Sequence, residues 1–229
     1  MTSATKNSKR SLGVLAGTAA FALALAGCAT TGGGDTGDGA ILIGTTDKVT
    51  TLDPAGSYDN GSFAVQNQVF PFLLNSPLGS PDVEPDIAVS AEFTGPSEYT
   101  VVLKPDLKFA NGNDLTASDV KFTFDRQLAI ADPNGASSLL YNLESTEAVD
   151  DTTVVFNLKA ENDQVFPQIL STFPGAIVDE DVFSATELTP DEDIVAGQAF
   201  AGQYTIASYD FNATDCPPEQ ARQLPFRCR

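Results

Sequence analysis

Histidine and tryptophan are absent from the 229 residues, and 12 Lys and Arg stand against 31 Asp and Glu. Without histidine, a Ser-His-Asp or Cys-His catalytic site and a His-ligated zinc are excluded. Carboxylates remain for acid–base chemistry. The net charge of −19 argues against nucleic acid, whose phosphates need Lys and Arg, and suits a soluble extracytoplasmic protein. There is no P-loop, no GxSxG and no EF-hand spacing, and nothing in the chain asks for a cofactor or a metal. Apolar residues make up 42%, ordinary for a globular core. The length suits one large domain or two small ones.

The first residues read as an address. Met1–Arg10 is polar and basic through Lys6, Lys9 and Arg10, and Leu12–Leu25 is apolar and small. Its 14 residues fall short of the about 20 that span a bilayer, so the stretch predicts a secretory signal. Without an Arg-Arg pair, the general secretion route is expected. The run ends Leu25-Ala26-Gly27-Cys28, which resembles the lipobox of bacterial lipoproteins. Residues 1–27 are therefore read as a lipoprotein signal peptide and Cys28 as the lipidation site. Loss of those residues removes three cations and no acid, taking the net charge from −19 to −22. Residues 28–39, rich in Gly, Thr and Asp, predict a flexible tether.

The centre of the chain is Leu107–Arg126, LKFANGNDLTASDVKFTFDR. Asn111-Gly112-Asn113-Asp114 predicts a tight turn. Thr116 predicts an N-cap, and Asp119, three residues on, the acidic half of a capping box. Val120, Phe124 and Leu128 fall at i, i+4 and i+8 as an apolar stripe. Phe122 lies off that stripe, so the helix is expected to bury two faces. This stretch resembles the signature of the family 5 extracellular solute-binding proteins, the peptide-binding components of ABC importers. Phe109, Gly112, Leu115, Thr116, Ala117, Asp119, Val120 and Phe122 fall on the family pattern.

Flanking segments match the same family in the same order. Residues 40–45 predict a first strand, followed by Thr51-Leu52-Asp53-Pro54, which resembles the family's element at that place. Residues 60–74 predict a helix, with Phe70-Pro71 as a break. Residues 75–85, with Pro77, Gly79, Pro81 and Pro85, predict a loop. Residues 92–93 and 99–103 predict strands around Gly95-Pro96-Ser97. Asp132-Pro133-Asn134-Gly135 predicts a turn, and residues 147–149 and 152–158 a hairpin around Asp150-Asp151. Residues 163–170 predict a short helix, 173–178 an apolar strand, and 179–183 a helical piece. Asp191-Glu192-Asp193 reads as a solvated acidic face. A strand is expected over 204–209, in a segment where Gln203 stands in place of the family's usual proline.

The pattern stops after Phe211. The last eight residues hold three of the chain's five arginines, and Cys216 and Cys228 are two of its three cysteines. Residues 212–229 read as an atypical tail, disordered or frameshifted. A Cys216–Cys228 disulfide is the alternative in an oxidising compartment.

The resemblance implies an α/β fold, the first lobe of a two-lobed periplasmic-binding-protein-like (type II) architecture, with mixed sheets, flanking helices and truncation. Residues 40–211 form that lobe. The implied function is a lipid-anchored substrate-binding protein of an ABC importer, held on the outer face of the bacterial cytoplasmic membrane. It would capture peptides or similar small solutes for the permease subunits, with no catalysis. The second lobe normally supplies the acid that meets a peptide's amino terminus, and no position here corresponds to it. Expected ligand contacts are Leu52, Asp53 and Pro54 in one loop and Phe173, Pro174 and Gly175 in another. The alternative functions are a surface-anchored hydrolase and a ligand-sensing lipoprotein without transport.

Overall fold

The computed structural model describes residues 43, 45–210 and the backbone of 226–228. The signal segment, Cys28, the tether, Cys216 and the side chain of Cys228 lie outside the described residues, as does nearly all of the expected first strand.

Two hairpins build the main sheet. Alternating residues place Tyr99, Val101 and Leu103 of Glu98–Leu103 (β4) and Val154, Phe156 and Leu158 of Thr153–Leu158 (β6) on one buried face. β4 turns back from Ala88–Gly95 (β3), and β6 from Leu143–Ala148 (β5). The Asp150 carboxylate closes the second turn by accepting from the backbone N–H of Thr152 and Thr153, both at 2.8 Å. The order is β3-β4-β6-β5, antiparallel throughout, with Tyr99 opposite Phe156 and Val101 opposite Val154. Smaller pairs are Leu74–Asn75 (β1) with Glu84–Pro85 (β2), and Tyr204–Ile206 (β7) with Phe226–Cys228 (β8). β8 is the described part of the atypical tail.

Asn60–Val69 (α1) is capped by Asp59, which accepts from Ser62 N at 2.8 Å. It ends before Pro71, five residues short of the expected Leu74, because the next residues are needed for the β1 pairing. Ala117–Ile130 (α2) carries the expected capping box on Thr116 and Asp119. The turn before it places Gly112 at φ 99°, a left-handed conformation that costs glycine little. Phe166–Ile169 (α3) and Asp191–Gly197 (α4) are shorter.

α2 serves two cores. Val120 and Phe124 are fully buried against the main sheet, and Phe124 meets Phe156 edge-on at 4.9 Å. Phe122 packs on the second core, which contains Leu52, Val69, Phe70, Val178, Phe183, Ile194 and Phe200. The expected two buried faces are present. Leu128 is not part of the stripe, and it is 38% exposed. Each step of four residues overshoots a helical turn by about 40°, so two steps carry Leu128 about 80° off the core face.

Two further expectations are corrected. Residues 173–178 contain a 3₁₀ turn, Phe173–Gly175, rather than a strand. Pro174 cannot donate to a ladder, and Gly175 N closes the turn on Thr172 O at 2.7 Å. Residues 179–183 form a single turn rather than a helix.

Phe124→Ala is expected to cost about 3–5 kcal/mol of stability, and Leu128→Ala less than about 0.5 kcal/mol, in urea unfolding. Equal effects would contradict the facing of α2.

Candidate functional site

α2 holds both loops in which ligand contacts are expected. Arg126 reaches the first. Its Nη1 and Nη2 donate to Asp53 Oδ1 and Oδ2, each at 2.9 Å, and both side chains are almost wholly buried. The guanidinium also donates through Nε to Ser184 O at 2.8 Å and lies 5.3 Å from the centre of the Phe183 ring. Asp53 further accepts from Ala55 N at 2.9 Å and Thr189 N at 2.7 Å. Every strong direction around the carboxylate is occupied, which is what lets a buried charge persist.

The second loop is gripped by a ladder of polar side chains at every fourth residue. Gln127 Nε2 donates to Pro174 O at 2.7 Å, Thr123 Oγ1 accepts from Val178 N at 3.0 Å, and Asp119 Oδ1 accepts from Glu180 N at 3.1 Å. Each step of four advances about 40° around the helix, so the three side chains climb α2 as a slanting row and residues 174–180 run back along it. Asp119 also accepts from Thr116 N at 2.8 Å. Burial pushes the Asp119 carboxyl up, against bonds from Thr116 and Glu180 N–H, and Glu180 and Asp179 add to the rise.

Of the expected contacts, Leu52, Asp53, Pro54, Pro174 and Gly175 are buried. The structure brings the two loops together but turns mainly Phe173 outward. Phe173 stacks on Phe63 at 4.2 Å and 30°, and Tyr58 meets it edge-on at 4.8 Å. Tyr58 is 52% exposed, and Phe63 and Phe173 are half-buried. These rings form an aromatic ledge. Tyr58 and Phe63 were not singled out as site residues in the sequence. The signal that finds them is their position within ten residues after Asp53-Pro54.

Two acidic groups, Asp59 and Asp191, hold the segment that leads to Tyr58. Burial opposes ionisation of Asp59, but bonds from the Ser62 N–H and the Thr50 hydroxyl hold its carboxyl below the usual range. Asp191 is a correction to the solvated acidic run. It is buried, and its Oδ1 accepts from Thr51 Oγ1 and Leu52 N, both at 2.9 Å. Its Oδ2 has no partner. Burial pushes Asp191 up despite those bonds, and the Asp53 and Glu192 carboxylates push the same way. Asp179 lines a separate acidic hollow of about 430 Å³ with Asp114, Glu180 and Asp181. Its Oδ2 is spent on the Asn111 and Asn113 amides at 2.8 and 2.9 Å. Among the described residues no group of three or more carboxylates or thiols is placed to hold a metal.

Two outcomes test these contacts. Asp53→Ala strands a buried guanidinium and is expected to cost about 3–5 kcal/mol, with Arg126→Lys also destabilising because ammonium cannot span both oxygens. Because the folded chain holds the Asp191 proton more tightly than the unfolded chain, ionisation there costs stability at neutral pH. The cost disappears as pH falls below the unfolded value of about 4. Asp191→Asn should therefore stabilise the chain near neutrality and lose that gain in acid, as read by urea titrations at the two pH values.

The description of the bacterial extracellular solute-binding proteins, family 5 Middle, matches residues 82–214. A probable D,D-dipeptide-binding periplasmic protein of Escherichia coli (strain K12) is 33% identical over 123 residues, covering 52% of this chain and 23% of the relative. An oligopeptide-binding protein of Bacillus subtilis (strain 168) is 29% identical over 136 residues, covering 58% and 25%. The chain thus spans about a quarter of the length of these curated relatives. The substrate-binding domain of an oligopeptide ABC transporter from Bacillus anthracis superposes with a TM-score of 0.62 at 16% identity, over 72% of this chain and 35% of that one. A periplasmic binding protein from Helicobacter pylori, solved with a bound peptide, gives 0.57 at 19% identity, over 72% and 36%. These likenesses define the fold as that of the type II periplasmic binding proteins.

Proposed function

Because the chain belongs to the family 5 bacterial extracellular solute-binding proteins, we propose that it is the first-lobe part of a substrate-binding protein for an ABC importer of peptides or similar small solutes. The observation that carries this reading is the ledge formed by Tyr58 and Phe173, on two loops fixed by α2, with Phe63 of α1. Partly exposed aromatic rings on a rigid support give apolar contact area at small entropic cost. The relatives' names, dipeptide-, oligopeptide- and glutathione-binding, agree with it.

In this reading Phe173 touches the solute, with Pro174 and Gly175 shaping its turn. Leu52, Asp53 and Pro54 set the height of the facing loop from below. Closure of a second lobe over the ledge would complete the site, and the loaded protein would then dock on permease subunits. Cys28, lipidated after removal of residues 1–27, would hold the protein on the outer face of the cytoplasmic membrane. Two or more acyl chains suffice for stable anchoring.

Thermal unfolding of the chain with a panel of di- to pentapeptides tests ligand capture. A ligand at about 100 times its Kd adds about 2.7 kcal/mol to native stability, so a binding peptide raises the midpoint. Phe173→Ala and Tyr58→Ala should each reduce that rise. No rise with any peptide overturns the reading that the ledge of this lobe holds the solute by itself. Metabolic labelling with palmitate, compared with Cys28→Ser, tests the anchor separately.

A further inference from the structure

We propose that the hollow between the end of α1, the β1–β2 pair and the start of β7 is a second binding site, for a neutral, hydroxyl-rich solute of mono- to disaccharide size. The hollow has a volume of about 380 Å³ and is lined by Asn67, Gln68, Asn75, Asp86, Ser171 and Gln203 over a floor that includes Phe72. It contains none of the three rings of the ledge, so the proposal does not rest on the peptide reading.

The walls are built. Ala201 N and Gly202 N both donate to Val69 O, at 3.1 and 2.8 Å, tying the approach to β7 onto the end of α1. A Cβ at position 202 would lie 2.6 Å from Gln68 O, so only glycine permits that approach. On the far side Ser171 Oγ and Ser76 Oγ are 2.7 Å apart, and Asn75 Nδ2 donates to Glu84 Oε1 at 3.3 Å. By contrast, the side-chain amides of Asn67, Gln68 and Gln203 bond to no other described residue. Each offers two N–H donors and a carbonyl acceptor. Three unspent amides at the rim of one hollow offer both donors and acceptors to a ligand that donates and accepts.

The chemistry of the lining narrows the class. No Lys or Arg lines the hollow and Asp86 does, which disfavours anions. Phe70 and Phe72 are only 1% and 4% exposed, leaving little apolar surface for a peptide side chain. Hydroxyl groups read by amides fit both facts. Gln203 occupies the position where the family pattern carries proline, so one of the three amides is a feature of this chain.

The test is side-chain amide NMR of the ¹⁵N-labelled chain titrated with glucose, maltose and gluconate. Glucose or maltose is expected to give saturable shifts at the Asn67, Gln68 and Gln203 amides in the millimolar range, with gluconate giving none. Gln203→Pro should weaken binding about five-fold, the worth of about one net hydrogen bond. The Gln203 N–H donates to no described residue, so proline removes no backbone bond. Gln68→Ala, at a half-buried position of α1, gives the same reading if the proline variant fails to fold. Absence of saturable shifts with both neutral sugars, equal shifts with gluconate, or affinity unchanged in the variants overturns the proposal.

Discussion

A guanidinium and a carboxylate out of reach of water join the first loop of this molecule to its central helix. Arg126 and Asp53 lie 73 positions apart in sequence, and their two parallel bonds fix both distance and orientation. Thr189 N, Ala55 N and the carbonyl of Ser184 attach to the same pair. Desolvating two charges is expensive, and a pair of this kind is better understood as enforcing one arrangement than as adding net stability. That arrangement sets the second core, since Leu52, next to Asp53, is one of its buried members.

The sequence was most legible where local chemistry decides local structure. The capping box of Thr116 and Asp119, the turn at Asn111–Asp114 and the hairpin at Asp150 are short-range arrangements, and all are present. The two-faced burial of α2 was legible from Phe122 lying off the stripe of Val120 and Phe124. Leu128 was misplaced because a spacing of four drifts around a helix. Phe173–Gly175 was misplaced because apolar composition outweighed what Pro174 forbids. The role of Asp191 was hidden altogether. Its partners, Thr51 and Leu52, are about 140 positions away, and nothing near Asp191 in the chain marks it as different from Glu192 and Asp193.

The candidate site shows the same division. The sequence pointed to both loops, and the structure sets them side by side. It did not separate the residues that hold the loops from those that face outward. Burial makes that separation: Asp53 and Leu52 look inward, whereas Tyr58 and Phe173 present their rings. Arg126 was visible as the last residue of the signature stretch, but its partner could be known only once the two elements were packed.

The ladder of Gln127, Thr123 and Asp119 grips only main-chain atoms of the facing segment: the carbonyl of residue 174 and the N–H groups of 178 and 180. Main-chain atoms persist through most substitutions. The side chain at 173 is therefore open to exchange while the track beneath it keeps its register. Selection could retune what such a ledge prefers by changing one ring, without re-solving the fold that carries it. Diversification of binding preference and preservation of the scaffold would then proceed on separate sets of atoms.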